Sequence, residues 1–206
     1  MAKQIEGVYE KVITVAKSEF LQNGFQRASL RTIATKGGTT TGSIYTRFGD
    51  KEGLFLAIVE PFATKLLAMF IEIQENFHNF SRKDQREQMC EYTSHSVDNM
   101  IDFMYEHLGE CKLLLEGSQG TKFENFTDDF ISIEEEYTHK YIETVGCEIC
   151  ENLKFLKDIV HMITTAYFES FFEVIRHNME KEEAKKYIKV LSNYHLAGFE
   201  AVFQCT

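Results

Sequence analysis

The chain has no tryptophan and a single proline, and its five cysteines cannot all pair with one another. Proline deletes a backbone donor and clashes with the preceding helical turn, so its scarcity leaves room for long helices. Cys90, Cys111, Cys147, Cys150 and Cys205 are scattered, and free thiols in a reducing cytoplasm are the expected state. The longest apolar runs, such as Leu54 to Val59, fall far short of the ~20 residues of a membrane span, so no membrane partner is expected. Met1 to Glu6 contains no apolar core of a secretory signal. A cytoplasmic location is the expectation.

Hydrophobic residues make up 44% of the 206 positions and charged residues 26%, which excludes a disordered chain, a collagen and a disulfide miniprotein. Aromatics reach 13%, enough for a sizeable core and for a pocket or interface besides. The net charge of −10 argues against nucleic acid only when read globally. Residues 1–50 carry +3 and residues 51–206 carry −13. A small basic part joined to a large acidic part suggests two tasks.

The apolar spacing is helical almost throughout, and the expected fold class is all-α. Val8, Val12, Ala16 and Phe20 make one stripe on a first helix, with Gly24 as its stop. Ser29 can cap a helix from Leu30 to Thr35, and Gly37-Gly38 breaks it. Thr40 can cap a third helix over 41–48, and Asp50 a fourth that starts at Lys51. That helix continues to about Asn76, and Pro61 inside it predicts a kink. Further helices are expected near 84–108, 110–116, 123–145, 153–179 and 181–204.

Two short helices around a glycine turn, in SLRTIATKGGTTTGSIYTRFGDK (29–51), match a helix-turn-helix. Ile33, Ala34, Ile44 and Phe48 are the positions that would lock the pair onto Phe20 and Phe25. The second helix offers hydroxyls, a phenol and a guanidinium, groups suited to phosphates and base edges in a major groove. Gly42 lets the backbone approach closely. Ser29, Thr40, Thr41, Gly42, Ser43, Tyr45, Thr46, Arg47 and Lys51 are the candidate DNA-binding residues. A phosphate-binding P-loop is dismissed, because no Gly-Lys-Ser/Thr follows the glycines.

Ala16, Phe20, Gly24-Phe25, Ile33-Ala34, Gly38, Gly42-Ser43-Ile44-Tyr45-Thr46-Arg47-Phe48 and Lys51-Glu52-Gly53-Leu54 follow one another in an order and spacing that resembles the TetR family of bacterial transcriptional regulators. The resemblance covers about residues 8–58. Gly37 and Thr39 depart from it, standing where Ala and Val are usual. It implies an N-terminal three-helix DNA-binding domain, residues 1–50, followed by a helical ligand-binding and dimerisation domain, residues 51–206. It further implies a homodimer on a palindromic operator of double-stranded DNA, and a repressor released by a small-molecule effector.

The last two helices carry wide apolar faces, read either as ordinary core or as a four-helix dimer interface. Ile163, Tyr167, Phe171, Ile188, Leu191, Tyr194, Gly198, Ala201 and Val202 are the candidate interface residues. Phe103, His107, His161, Phe168 and Phe172 are the candidate pocket residues. Cys147-Glu148-Ile149-Cys150 stands alone, without a second CxxC or histidines at metal spacing, so no metal and no cofactor are expected. A regulator sensing oxidation through Cys147 and Cys150 is one alternative. A helical enzyme is another, and it lacks any nucleophile–base pair or carboxylate dyad at convincing spacing.

Overall fold

A computed structural model describes residues 2–146 and 153–203. Among the described residues there are nine helices and no strand: α1 Ala2–Arg27, α2 Leu30–Gly37, α3 Thr41–Phe48, α4 Lys51–His78, α5 Arg82–Glu106, α6 Leu108–Glu116, α7 Phe126–Val145, α8 Leu153–Arg176 and α9 Lys181–Phe203. They form two compact units. Of the described residues, the first comprises 2–65 and 107–126, and the second 66–106, 127–146 and 153–203. The sequence places a boundary at residue 50, whereas the first unit also takes the opening turns of α4 together with α6.

In the first unit, local signals set the helix ends. Gly24 adopts φ 67° and ψ 168°, which interrupts α1 at the expected stop. The Ser29 hydroxyl accepts from Thr32 N, and Gly38 closes α2 in the left-handed region at φ 72°. Asp50 Oδ1 accepts from Gly53 N at 2.7 Å. Phe20, Ile33, Ile44, Leu54 and Phe55 are buried between these helices. Phe55 meets Phe20 and Phe25 edge-on, at centroid distances of 5.1 and 5.5 Å. Burying such a ring contributes roughly 1.5–3 kcal/mol. Gly37 has a reason to be glycine: a Cβ there would stand 3.0 Å from Val12 Cγ2. The remaining segment is tied in by Lys17 on Glu110 at 2.6 Å and by Phe25 N on Gly117 O at 2.8 Å. Lys122 adds an ion pair with Glu60.

The second unit is packed mostly by rings. Phe70, Phe130, Phe168 and Phe172 form a connected cluster with centroid distances of 5.2 to 5.7 Å among its closest pairs. A second cluster joins Phe77, Tyr141, Ile142, Val145, Leu156, Val160, Phe199 and Phe203. α9 packs on both α5 and α8. Lys181 and Lys185 both reach the Asp102 carboxylate, at 2.6 and 2.8 Å, and hold its pKa below the usual value.

α4 runs without interruption through Pro61, which lies exposed on it. Taken as a whole helix rather than by uninterrupted runs, α4 is long and apolar enough to cross a membrane, with an 18-residue window of mean hydropathy 1.9. Its Leu54, Phe55, Val59, Phe62, Leu66 and Phe70 are buried in the fold instead.

Candidate functional site

α2 and α3 form the expected helix-turn-helix. Ile44 is the one buried residue of α3. Gly42, Ser43, Tyr45, Thr46 and Arg47 are exposed, and Thr41 is half-buried. Tyr45 keeps 53% of its surface, unusual for a ring in so small a unit. The hydroxyls also work locally. Thr40 Oγ1 accepts from Ser43 N at 3.1 Å and lies 2.9 Å from Ser43 Oγ, while Thr46 Oγ1 donates to Gly42 O at 2.9 Å. Ser29 is half-buried as the cap of α2. A Cβ on Gly42 would meet only Thr40 Oγ1, at 3.7 Å, so the chain's own packing does not demand glycine there.

Two basic residues are held by contacts the sequence did not reveal. The Arg47 guanidinium lies 4.1 Å above the Tyr9 ring, which also stacks on Phe48. The Lys51 ammonium donates to Gln26 O at 3.0 Å and lies 4.6 Å from the Phe25 ring. The Gln26 bond satisfies a carbonyl near the end of α1. Ala28 O lies 3.5 Å from the same ammonium, and since an ammonium carries three N–H groups Lys51 retains one donor for a further partner. Arg27, Arg31 and Lys36 are exposed in the same unit and were not singled out by motif.

The second unit encloses a cavity of about 110 Å³. Of the candidate pocket residues Phe168 lines it, together with Phe70, Phe77, Tyr137, Phe171 and other rings. The other four candidate pocket residues are not among its lining. Phe172 is fully buried against Phe130, and Phe103 lies half-buried on α5. His107 belongs to the first unit, beside Phe62. His161 is exposed and bonds Glu135 at 2.6 Å. Apolar neighbours in sequence do not say which way a helical side chain points.

The cavity's polar groups come from several helices. Gln74 Nε2 donates to Glu134 Oε2 at 2.6 Å, and burial pushes the Glu134 carboxyl up to about 7. Tyr167 OH lies 3.0 Å from Ser192 Oγ, and burial raises it to about 12. Burial pushes His195, which lies over Tyr167 at 4.4 Å, down to about 4.

The candidate interface residues divide. Phe171 and Ile188 are buried in the unit's own core, and Tyr167 faces the cavity, so these three are corrected to interior positions. Ile163, Leu191 and Val202 are half-buried, whereas Tyr194, Gly198 and Ala201 are exposed. Tyr194 keeps 79% of its surface. Tyr187 and Val190 on α9 and Phe155 and Met162 on α8 are exposed beside that stripe and were missed as interface candidates.

Cys147 and Cys150 lie outside the described residues. Cys111 is buried, and burial pushes its thiol up to about 12. Among the described residues, no group of three His, Cys, Asp or Glu side chains is placed to hold a metal ion.

An all-α chain that presents the polar face of a short second helix from a helix-turn-helix has the architecture of a DNA-binding domain. Residues 12–58 match the family model for bacterial regulatory proteins of the tetR family. Over 67 residues the chain is 37% identical to the uncharacterised HTH-type transcriptional regulator YvdT of Bacillus subtilis, covering 32% of this chain and 34% of that one. Over 116 residues it is 24% identical to the HTH-type transcriptional regulator UidR of Escherichia coli, covering 56% and 53%. The chain thus spans a third to about a half of the length of these curated relatives. The solved structure of a TetR-like transcriptional regulator from Rhodococcus sp. RHA1 has the same fold, with a TM-score of 0.61 at 18% identity over 93% of this chain and 96% of that one. Residues 12–58 thus match the tetR-family model, and the chain shares the fold of a TetR-like regulator.

Proposed function

We propose that the protein is a sequence-specific DNA-binding transcriptional regulator. It acts as a homodimer, represses by occupying a palindromic operator, and leaves it when a small molecule binds. DNA binding is assigned to residues 1–50, and effector binding and dimerisation to residues 51–206. The observation that carries this reading is α3, which buries Ile44 alone and turns Gly42, Ser43, Tyr45, Thr46 and Arg47 outward. Apart from Arg47, which lies over Tyr9, this face is open to solvent, and its groups match those that bond phosphates and base edges. The open space at Gly42 supports close approach of a backbone to DNA.

A single helix-turn-helix contacts few bases, and two-fold pairing supplies two half-sites roughly 34–36 Å apart. The exposed apolar stripe of Tyr187, Val190, Tyr194, Gly198 and Ala201 on α9, with Phe155 and Met162 on α8, supports a second copy of this chain as the partner. The cavity of the second unit is the proposed effector site.

The test is a titration of duplex DNA from the gene's own upstream region at increasing salt. Steep loss of affinity with salt is expected, because phosphate contacts release counterions. Tyr45→Phe and Lys51→Ala are expected to weaken binding on every sequence, with the lysine variant lowering the salt slope by about one per half-site. Binding unchanged in both variants would overturn the placement of α3 on DNA.

A further inference from the structure

The cavity of the second unit has an unusual chemical balance. Aromatic rings make most of its wall, and among the described residues Glu134 is the one carboxylate in its lining and no lysine or arginine lines it. The carboxyl is fixed on one side, where Gln74 donates to Oε2. Among the described residues no hydrogen bond reaches Oε1. A carboxylate left among rings without a counter-charge is costly, and a cation brought by a ligand removes that cost. The faces of aromatic rings attract the same cation.

We propose that this cavity takes a small organic amine in its protonated form, with the ammonium on Glu134 and the hydrocarbon against Phe70, Phe168 and Phe171. The inference rests on the effector reading above and names the effector's chemical class. Size supports it: a cavity of about 110 Å³ is of the order of one that holds a single benzene ring. Charge supports it too, since an anionic ligand would face Glu134 with no lysine or arginine among the described residues to receive it.

The other titratable groups around the carboxyl leave it this role. On α4, the two ring nitrogens of His78 lie 2.9 Å from Gln74 O and 3.1 Å from Tyr137 O. On α5, Tyr92 OH donates to Ile73 O. Tyr137 and Tyr141 line the cavity from α7, Tyr167 from α8 and His195 from α9. His195 is neutral at physiological pH, because burial holds it near 4. Lys140 lies over the Tyr137 ring, but it is exposed and paired with Glu136. Glu135 is bonded to the exposed His161.

The empty site holds a proton on Glu134 up to about pH 7, and an ammonium would displace it. Amine affinity therefore rises with pH through that range. The test is calorimetric titration of the full chain with benzylamine, benzyl alcohol and benzoate, at pH 6 and pH 8. Benzylamine is expected to bind at least about tenfold tighter than the alcohol at pH 8, to weaken about tenfold at pH 6, and benzoate to show no binding. Glu134→Gln is expected to abolish the preference for the amine and its pH dependence. Circular dichroism shows whether that variant is folded, and the wild-type titrations decide the matter if it is not. Equal or tighter binding of the alcohol or benzoate, or no benzylamine binding at millimolar concentration, overturns the proposal. So does a pH dependence that survives in folded Glu134→Gln. The regulator reading stands or falls separately, on DNA binding measured without any amine.

Discussion

The two units are built by different kinds of interaction. In the first, short helices begin and end on neighbours: Ser29 on Thr32, Thr40 on Ser43, Asp50 on Gly53, and Gly38 on the carbonyls of Ala34 and Thr35. In the second, the decisive pairs lie far apart in the chain, as when Phe70 meets Phe130 and Phe168, or Gln74 meets Glu134. A cap acts across three residues and leaves a mark in any sequence window. A ring cluster gathered from three helices leaves only a list of aromatic positions.

Two glycines sharpen the contrast. A Cβ at Gly53, in the first unit, would stand 1.9 Å from the Phe48 carbonyl oxygen, which cannot move without breaking the α3–α4 turn. Gly53→Ala is expected to cost about 3 kcal/mol, the upper end of ordinary substitutions, and to remove DNA binding. Thermal unfolding beside a DNA titration checks this, and an unchanged melting temperature would show that the turn yields. A Cβ at Gly198, in the second unit, meets nothing within 4 Å. Gly198→Leu is therefore expected to leave the folding of the chain intact while blocking approach of a second copy. Light scattering at micromolar concentration should show monomer, and a full dimer would place the interface elsewhere.

A subtler contrast lies in pH. Glu134 is raised by burial, so the folded state binds a proton that the unfolded chain has lost, and its contribution to stability falls as pH rises from about 4.5 to about 7. His195 is lowered by burial, so its contribution is lost as pH falls from about 6.5 to about 4. The two oppose each other between about 4.5 and 6.5. Glu134→Gln should leave stability rising with pH across this window, and His195→Asn should leave it falling. Melting temperatures from pH 4 to pH 8 read both slopes. Parallel slopes in the two variants would assign the titration to other groups. The first unit's exposed recognition residues carry no such coupled burial, and the smallest effect is expected there. Tyr45→Phe removes one hydroxyl and should weaken DNA binding by about 1 kcal/mol, without changing stability.

Residue spacing alone laid out the all-α class, the starts of α2 and α3, and the outward face of Tyr45, Thr46 and Arg47, because helical period and capping are local rules. The family resemblance followed from the same stretch, and even its departure at Gly37 has a cause in the bulk of Val12. Tertiary structure decided the rest. It stacked Arg47 on Tyr9, turned His161 outward to Glu135, and put Phe172 in the core. It moved Ile188 and Phe171 inside while exposing Tyr194, and it set Glu134 opposite Gln74 in an aromatic cavity. A helix with apolar residues on most of its circumference does not declare which side faces core, cavity or partner. Only the positions of its neighbours do.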